Sequence, residues 1–233
     1  MNERQKKILK LIVKEYVKIA EPISSQHLSE RYNLDISPAT IRWDMVHLTK
    51  EKYLLQPHPS AGRIPTEKAY HLFIKEISEP RLPLTIEKKI EKIFTKKDKK
   101  KNLEELGKFL SSVSKNLSFL LFHEAMIWQG LSMIFSQPEF YELDEVLEFT
   151  KAFEELYDSL REGLFGGMDL FELEKDIKVF IGKENPFVPV EDLSLVISGW
   201  GEGLIGILGP RRMDYQRNIA LIKKAKDLLE DSF

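Results

Sequence analysis

The sequence predicts an α+β protein in two parts, on three observations. Apolar residues recur at helical spacing through the first 80 residues and are interrupted by one hairpin-like stretch. A lysine-rich segment with two prolines follows. Beyond it, amphipathic runs alternate with short apolar runs bounded by glycine, the pattern of helices beside a small antiparallel sheet. The boundaries predicted are 1–80, 81–101 and 102–233, and a chain of 233 residues has room for two such domains.

In order, Met1 to Ala20 is an amphipathic helix with Ile8, Leu9, Ile12, Val13, Tyr16 and Val17 on one side. "EPISS" breaks it, and Ser24 or Ser25 caps a short second helix. Ser37-Pro38 is a strong start signal, a serine cap followed by proline at the first helical position, for a third helix running to about Lys52. "YLLQP" and "RIPT" flank "HPSAG" and predict a hairpin, after which Thr66 caps a fourth helix. Three helices and then a small hairpin is the winged helix-turn-helix order, in which the third helix enters the DNA major groove. A lysine run within 81–101 is a solvated linker or helix face that adds non-specific phosphate attraction at most. In the second part, 102–115 and 143–160 are helices, "LSFLLF", "IKVFIG", "LSLVISGW" and "GLIGILG" are strands, "GLSMIFSQPEF" is a turn-rich connection, and 215–229 is a closing helix.

Composition bounds the chemistry. There is no cysteine, which removes disulfides and cysteine-based zinc sites. No run of about 18 apolar residues exists, so no membrane span is expected, and the charged start "MNERQKKILK" is unlike a secretory signal, which fits a cytoplasmic protein. The net charge of −2 conceals an asymmetry: 13 Lys+Arg against 10 Asp+Glu in 1–80, 9 against 3 in 81–101, and 13 against 24 in 102–233. The front suits a phosphate partner and the back repels one.

On a helical wheel with Ile41 at zero, Met45 and Leu48 fall near about 40° and 340° and face the core. Ala39, Thr40, Trp43, Val46, His47 and Lys50 face away, with Arg42 on the flank. Ser37 stands at the start of this helix. The outward groups are suited to base edges and thymine methyls. Arg63 follows Gly62 at the expected wing tip, where glycine would allow a tight turn and the arginine would project toward phosphate or a narrow minor groove. His58 and Ser60 would help to hold phosphate. Trp43 lies about 200° from Ile41 and cannot join the same core stripe. It either packs under the wing or against a partner subunit, or enters the major groove.

"ERQKKIL" at 3–9, "SPATIR" at 37–42 and "QPHPSAGRIPT" at 56–66 resemble the HrcA family of heat-inducible transcription repressors. "GLSMIFSQPEF" at 130–140 and "IGILGPRRMDYQRNI" at 205–219 are similar to later segments of that family. The resemblance implies a homodimeric repressor that binds an inverted repeat of double-stranded DNA upstream of chaperone operons. It also implies a GAF-like second domain carrying an inserted dimerising domain, and a folded form that depends on the GroE chaperonin. The chain departs from the family twice. Almost nothing stands between "LSFLLF" and "IWQGLSMIF", where the family has further strands and the insertion, so the GAF-like sheet is expected to be reduced. Trp43 occupies a position where the family usually has asparagine.

Other motifs carry little. "GEGLIG" at 201–206 matches GxGxxG, but a strand rather than a helix follows it, so it is no nucleotide site. His123-Glu124 and the other histidines lack metal-ligand spacing, and the acidic residues at 139–155 form a solvated helix face with no organised second group. No cofactor, metal or catalytic residue is expected. The alternative is a winged-helix regulator whose second domain senses a small metabolite.

Overall fold

The computed structural model describes residues 1–95, 98–123, 125–163, 170–201 and 203–232. Lys96 and Lys97 of the lysine run, Glu124 beside His123, and Glu202 of "GEGLIG" lie outside the described residues. The chain divides into two compact units, Met1–Ser78 and Glu79–Phe233.

The first unit contains α1 (Glu3–Ile19), α2 (Ser25–Arg31), α3 (Pro38–Lys50), β1 (Leu54–Leu55), β2 (Ile64–Pro65) and α4 (Glu67–Lys75). Start signals are made by side chains: Asn2, Ser24 and Ser37 each accept a backbone N–H of the first turn that follows, from Gln5, His27 and Thr40. Thr66 differs from the expectation. Its hydroxyl donates to the carbonyls of Lys52 and Tyr53 and ties the helix entry to the end of α3 instead of capping α4. Ile8, Leu9, Ile12, Val13, Leu28, Ile41, Met45, Leu48, Ala69 and Tyr70 close the core. The wing has a third strand-like contact that "EPISS" concealed: Ile23 and Arg63 exchange both backbone hydrogen bonds, at 2.9 and 2.8 Å.

Two carboxylates are buried in this unit. Asp44, on the inner side of α3, accepts two hydrogen bonds from the Arg4 guanidinium at 2.7 and 3.1 Å. Glu15, on α1, accepts from Lys18 and from the Tyr32 hydroxyl, both at 2.7 Å, and lies 3.0 Å from His27 Nε2. Burial raises the affinity of Glu15 for a proton, but these contacts outweigh it and hold its pKa at about 2. Burial and the same contact push the Tyr32 hydroxyl up to about 12.

The second unit comprises α5 (Leu84–Ile93), α6 (Lys99–Ser114), β3 (Leu117–Phe122), β4 (Ala125–Gln129), α7 (Leu131–Ile134), α8 (Leu143–Arg161), α9 (Leu170–Lys175), β5 (Lys178–Ile181), β6 (Leu193–Trp200), β7 (Gly203–Pro210) and α10 (Tyr215–Ser232). The five strands form one antiparallel sheet in the order β4-β3-β7-β6-β5. This is the reduced GAF-like α+β unit. One face packs Leu117, Phe119, Leu195, Ile197, Leu204 and Leu208 against Phe149, Ala152, Leu156 and Leu160 of α8. The other packs on α6 and α10, with the Ser118 hydroxyl donating to the Gly107 carbonyl and Ser194 bonded to Tyr215. Both central strands are therefore buried on both faces, which explains why they read as continuous apolar runs rather than alternating ones.

Of the linker or helix expected over 81–101, much is helical, in α5 and the first turn of α6. "AMIWQ", to which the sequence assigns no element, is strand β4, because pairing with β3 satisfies its backbone. Gly203–Gly206 of "GEGLIG" lie in β7, the strand expected to follow. A Cβ on Gly206 would meet the Phe119 ring at 2.3 Å, so glycine here admits the aromatic side chain of the neighbouring strand.

The Glu15 cluster predicts a pH signature. Its folded pKa is depressed below the ordinary carboxylate value of 4.5. Its contribution is fully present above pH 4.5 and is lost as pH falls toward about 2. Glu15→Gln should flatten the acid limb of the first unit's stability in chemical denaturation and lower the plateau by roughly 2–4 kcal/mol. An acid limb identical to that of the parent would remove Glu15 from the explanation.

Candidate nucleic-acid interface

The sequence-predicted residues fall on two neighbouring pieces of the first unit. On α3, Ser37, Ala39, Arg42, Trp43, His47 and Lys50 are exposed, and Thr40 and Val46 are half-buried. The hydroxyls of Ser37 and Thr40 are 3.0 Å apart, so the cap serine also orients the threonine. Trp43 is 74 % exposed, which overturns packing under the wing. Asp44 was not anticipated. Its carboxylate, drawn inward by Arg4, fixes which face of α3 turns out. "ERQ" and "RWD" are 40 residues apart, and a single sequence carries no signal that joins them.

The wing differs from expectation. His58 and Ser60 lie at its exposed tip, 3.1 Å apart between Nδ1 and Oγ, and the Gln56 amide donates to the carbonyls of Pro59 and Ala61. Gly62 and Arg63 are not at the tip. They sit at the base of the wing against Ile23. Gly62 is outside the left-handed region, and a Cβ there would lie 2.4 Å from the Ile23 carbonyl, so glycine is required for backbone approach and not for a tight turn. Arg63 does not project freely. Its Nε donates to Thr49 Oγ1 at 3.1 Å, and Nη1 donates to the carbonyls of Ala61 and Gly62 at 3.3 Å.

Between α2, α3 and the wing lies an open cleft of about 490 Å³, lined among others by Ser24, Gln26, Arg42, Ser60 and Arg63. Burial, and then the charge of Arg42, pull the Arg63 guanidinium below its ordinary value. The cleft thus presents two like-charged guanidinium groups that an anion would relieve.

Among the described residues no three His, Asp or Glu side chains gather as a metal site, and no helix is long and apolar enough to cross a membrane. A cleft of about 190 Å³ in the second unit, floored by Phe140 and Phe149, is smaller than the roughly 300–1,000 Å³ of most small-molecule sites.

The fold and this face define a winged-helix protein with a GAF-like second unit. Residues 71–219 match the model described as HrcA protein C terminal domain. The chain belongs to the HrcA family. Curated relatives named heat-inducible transcription repressor HrcA include those of Natranaerobius thermophilus, 28 % identical over 237 residues, Carboxydothermus hydrogenoformans, 38 % over 143, and Desulforudis audaxviator, 47 % over 90. These matches cover 100 %, 59 % and 39 % of the chain, but only 65 %, 42 % and 26 % of the relatives' lengths. A crystal structure of a hypothetical protein, 21 % identical, superposes with a TM-score of 0.67 over 100 % of this chain and 98 % of its own, which supports the fold.

Gly62→Ala should lower the stability of the first unit by about 1–3 kcal/mol in thermal or denaturant unfolding, because the added methyl displaces the Ile23 backbone. An unchanged transition would mean that the wing base adjusts freely.

Proposed function

We propose that the chain is a DNA-binding repressor of heat-shock or chaperone operons, acting on an inverted-repeat operator as a homodimer. The observation that carries the reading is the outward face of α3, free of core duties, beside a cleft with two guanidinium groups. In this mechanism α3 lies in the major groove. Thr40, His47 and Trp43 meet base edges, Arg42 and Lys50 meet phosphates, and Arg63 braces the wing while facing the same anion. A dimer places two such helices on the two halves of the operator and blocks transcription. Heating lowers the folded fraction, since a margin of about 5–15 kcal/mol is typical of whole domains, and the operator is released. The cytoplasmic location and dependence of the folded form on the GroE chaperonin belong to the same reading.

Trp43 has a defined part. Its flat apolar ring covers a thymine methyl and excludes water, where asparagine would instead make two hydrogen bonds to adenine.

Selection of bound genomic fragments with the full chain tests the whole proposal. An inverted repeat beside chaperone genes is the expected result, and recovery of unrelated fragments without a shared repeat contradicts it. Binding should weaken steeply with salt through counterion release. Arg42→Ala should reduce affinity for all sequences alike, whereas Thr40→Ala or His47→Ala should change base preference. Trp43→Asn should move preference toward the usual family repeat by roughly 1–3 kcal/mol per changed contact. If these variants bind like the parent in quantitative gel shifts, α3 is not the reading element.

A further inference from the structure

The two edges of the second unit's sheet differ. β5, at one edge, is four residues long and begins on Lys178, and both features blunt an edge against pairing. β4, at the other, reads Ala-Met-Ile-Trp-Gln, with no charge and no proline. No described strand pairs with its outer side. An unguarded edge of this kind is a template for another strand.

The helix above it continues the same surface. With Phe149 of α8 at zero, the side from about 40° to 160° carries Leu143, Val146, Leu147, Thr150, Phe153 and Tyr157. Leu143 is 70 % exposed and Leu147 is 50 % exposed. The only charges on this side, Glu154 and Arg161, are of opposite sign. The side from about 180° to 320° carries Asp144, Glu145, Glu148, Glu155 and Asp158, with Lys151. Two observations show which side faces β4. Trp128 of β4, 41 % exposed, packs edge-on against Phe153 with ring centroids 5.6 Å apart. Glu145 and Glu148 line the cleft beside Asp192 and Leu193, toward β6. The apolar side of α8 and the open edge of β4 thus form one uncharged surface, while the acidic side points elsewhere.

We infer that this surface is the homodimer interface, with β4 of one copy pairing antiparallel with β4 of a second across a two-fold axis near Ile127. The occupant is a second copy for three reasons. A strand without charge pairs with itself without repulsion. Glu154 and Arg161 balance, so the α8 sides also meet without net charge. Antiparallel self-pairing closes both edges at once, giving a ten-stranded sheet that recruits no third chain. The inference rests on the homodimer reading and adds its location.

The test uses the full chain in sedimentation at micromolar concentration. The parent should be a dimer, and the double variant Leu143→Lys with Leu147→Lys should dissociate at least roughly tenfold more readily, the equivalent of about 1.4 kcal/mol. Glu148→Lys, on the acidic side, should dimerise like the parent. In the parent, β4 amide exchange should slow as concentration rises. A double variant that dimerises as tightly as the parent overturns this interface and leaves the dimer reading standing. A monomeric parent overturns both. If the double variant fails to fold, the exchange decides: β4 amides that exchange equally at low and high concentration overturn the interface.

Discussion

The roll of one helix governs the candidate DNA-facing surface, and an ion pair between buried Asp44 and half-exposed Arg4 sets it. α3 has a weak apolar stripe of Ile41, Met45 and Leu48. Asp44 lies between them and is turned inward, where an isolated carboxylate would be costly. Arg4 compensates that cost through two hydrogen bonds from α1. With Asp44 held, Trp43 and His47 have only solvent to face. Rolling α3 so that Asp44 turned outward would set its carboxylate toward an approaching anion. The pair therefore acts by selecting an orientation, the role for which buried ionic groups are best attested. Glu15 serves the neighbouring joint in the same way, tying α1 to His27 and Tyr32 around α2.

What could be read in the sequence was periodic or local. The caps at Ser24 and Ser37 act within three residues, and the outward face of α3 follows from a fixed angle per residue. The buried strands announced themselves as apolar runs. What could not be read was long-range. The bond between Ile23 and Arg63 joins residues 40 positions apart, and it moved Gly62 and Arg63 from the tip of the wing to its base. Glycine was identified as necessary, but close approach and a tight turn leave the same letter. β4 was missed because five residues beside a turn-rich segment show no period. It is a strand because β3 lies beside it.

Charge completes the division of labour. The first unit and the lysines after it are basic, and 102–233 is acidic by 24 to 13. Under the proposed function, an acidic second unit would lower the affinity of the whole chain for arbitrary DNA, because its carboxylates repel phosphates. Binding would then depend on contacts made by the face of α3 and the wing, and discrimination would improve as the background falls. Within the second unit the acids are unevenly spread. α8 holds them on the side away from β4, although solubility alone would place them on any exposed side. A helix that keeps Leu143 and Leu147 exposed while crowding its carboxylates elsewhere gives up favourable hydration on one side. The inferred two-fold pairing of β4 would cover that bare side and stop at one partner.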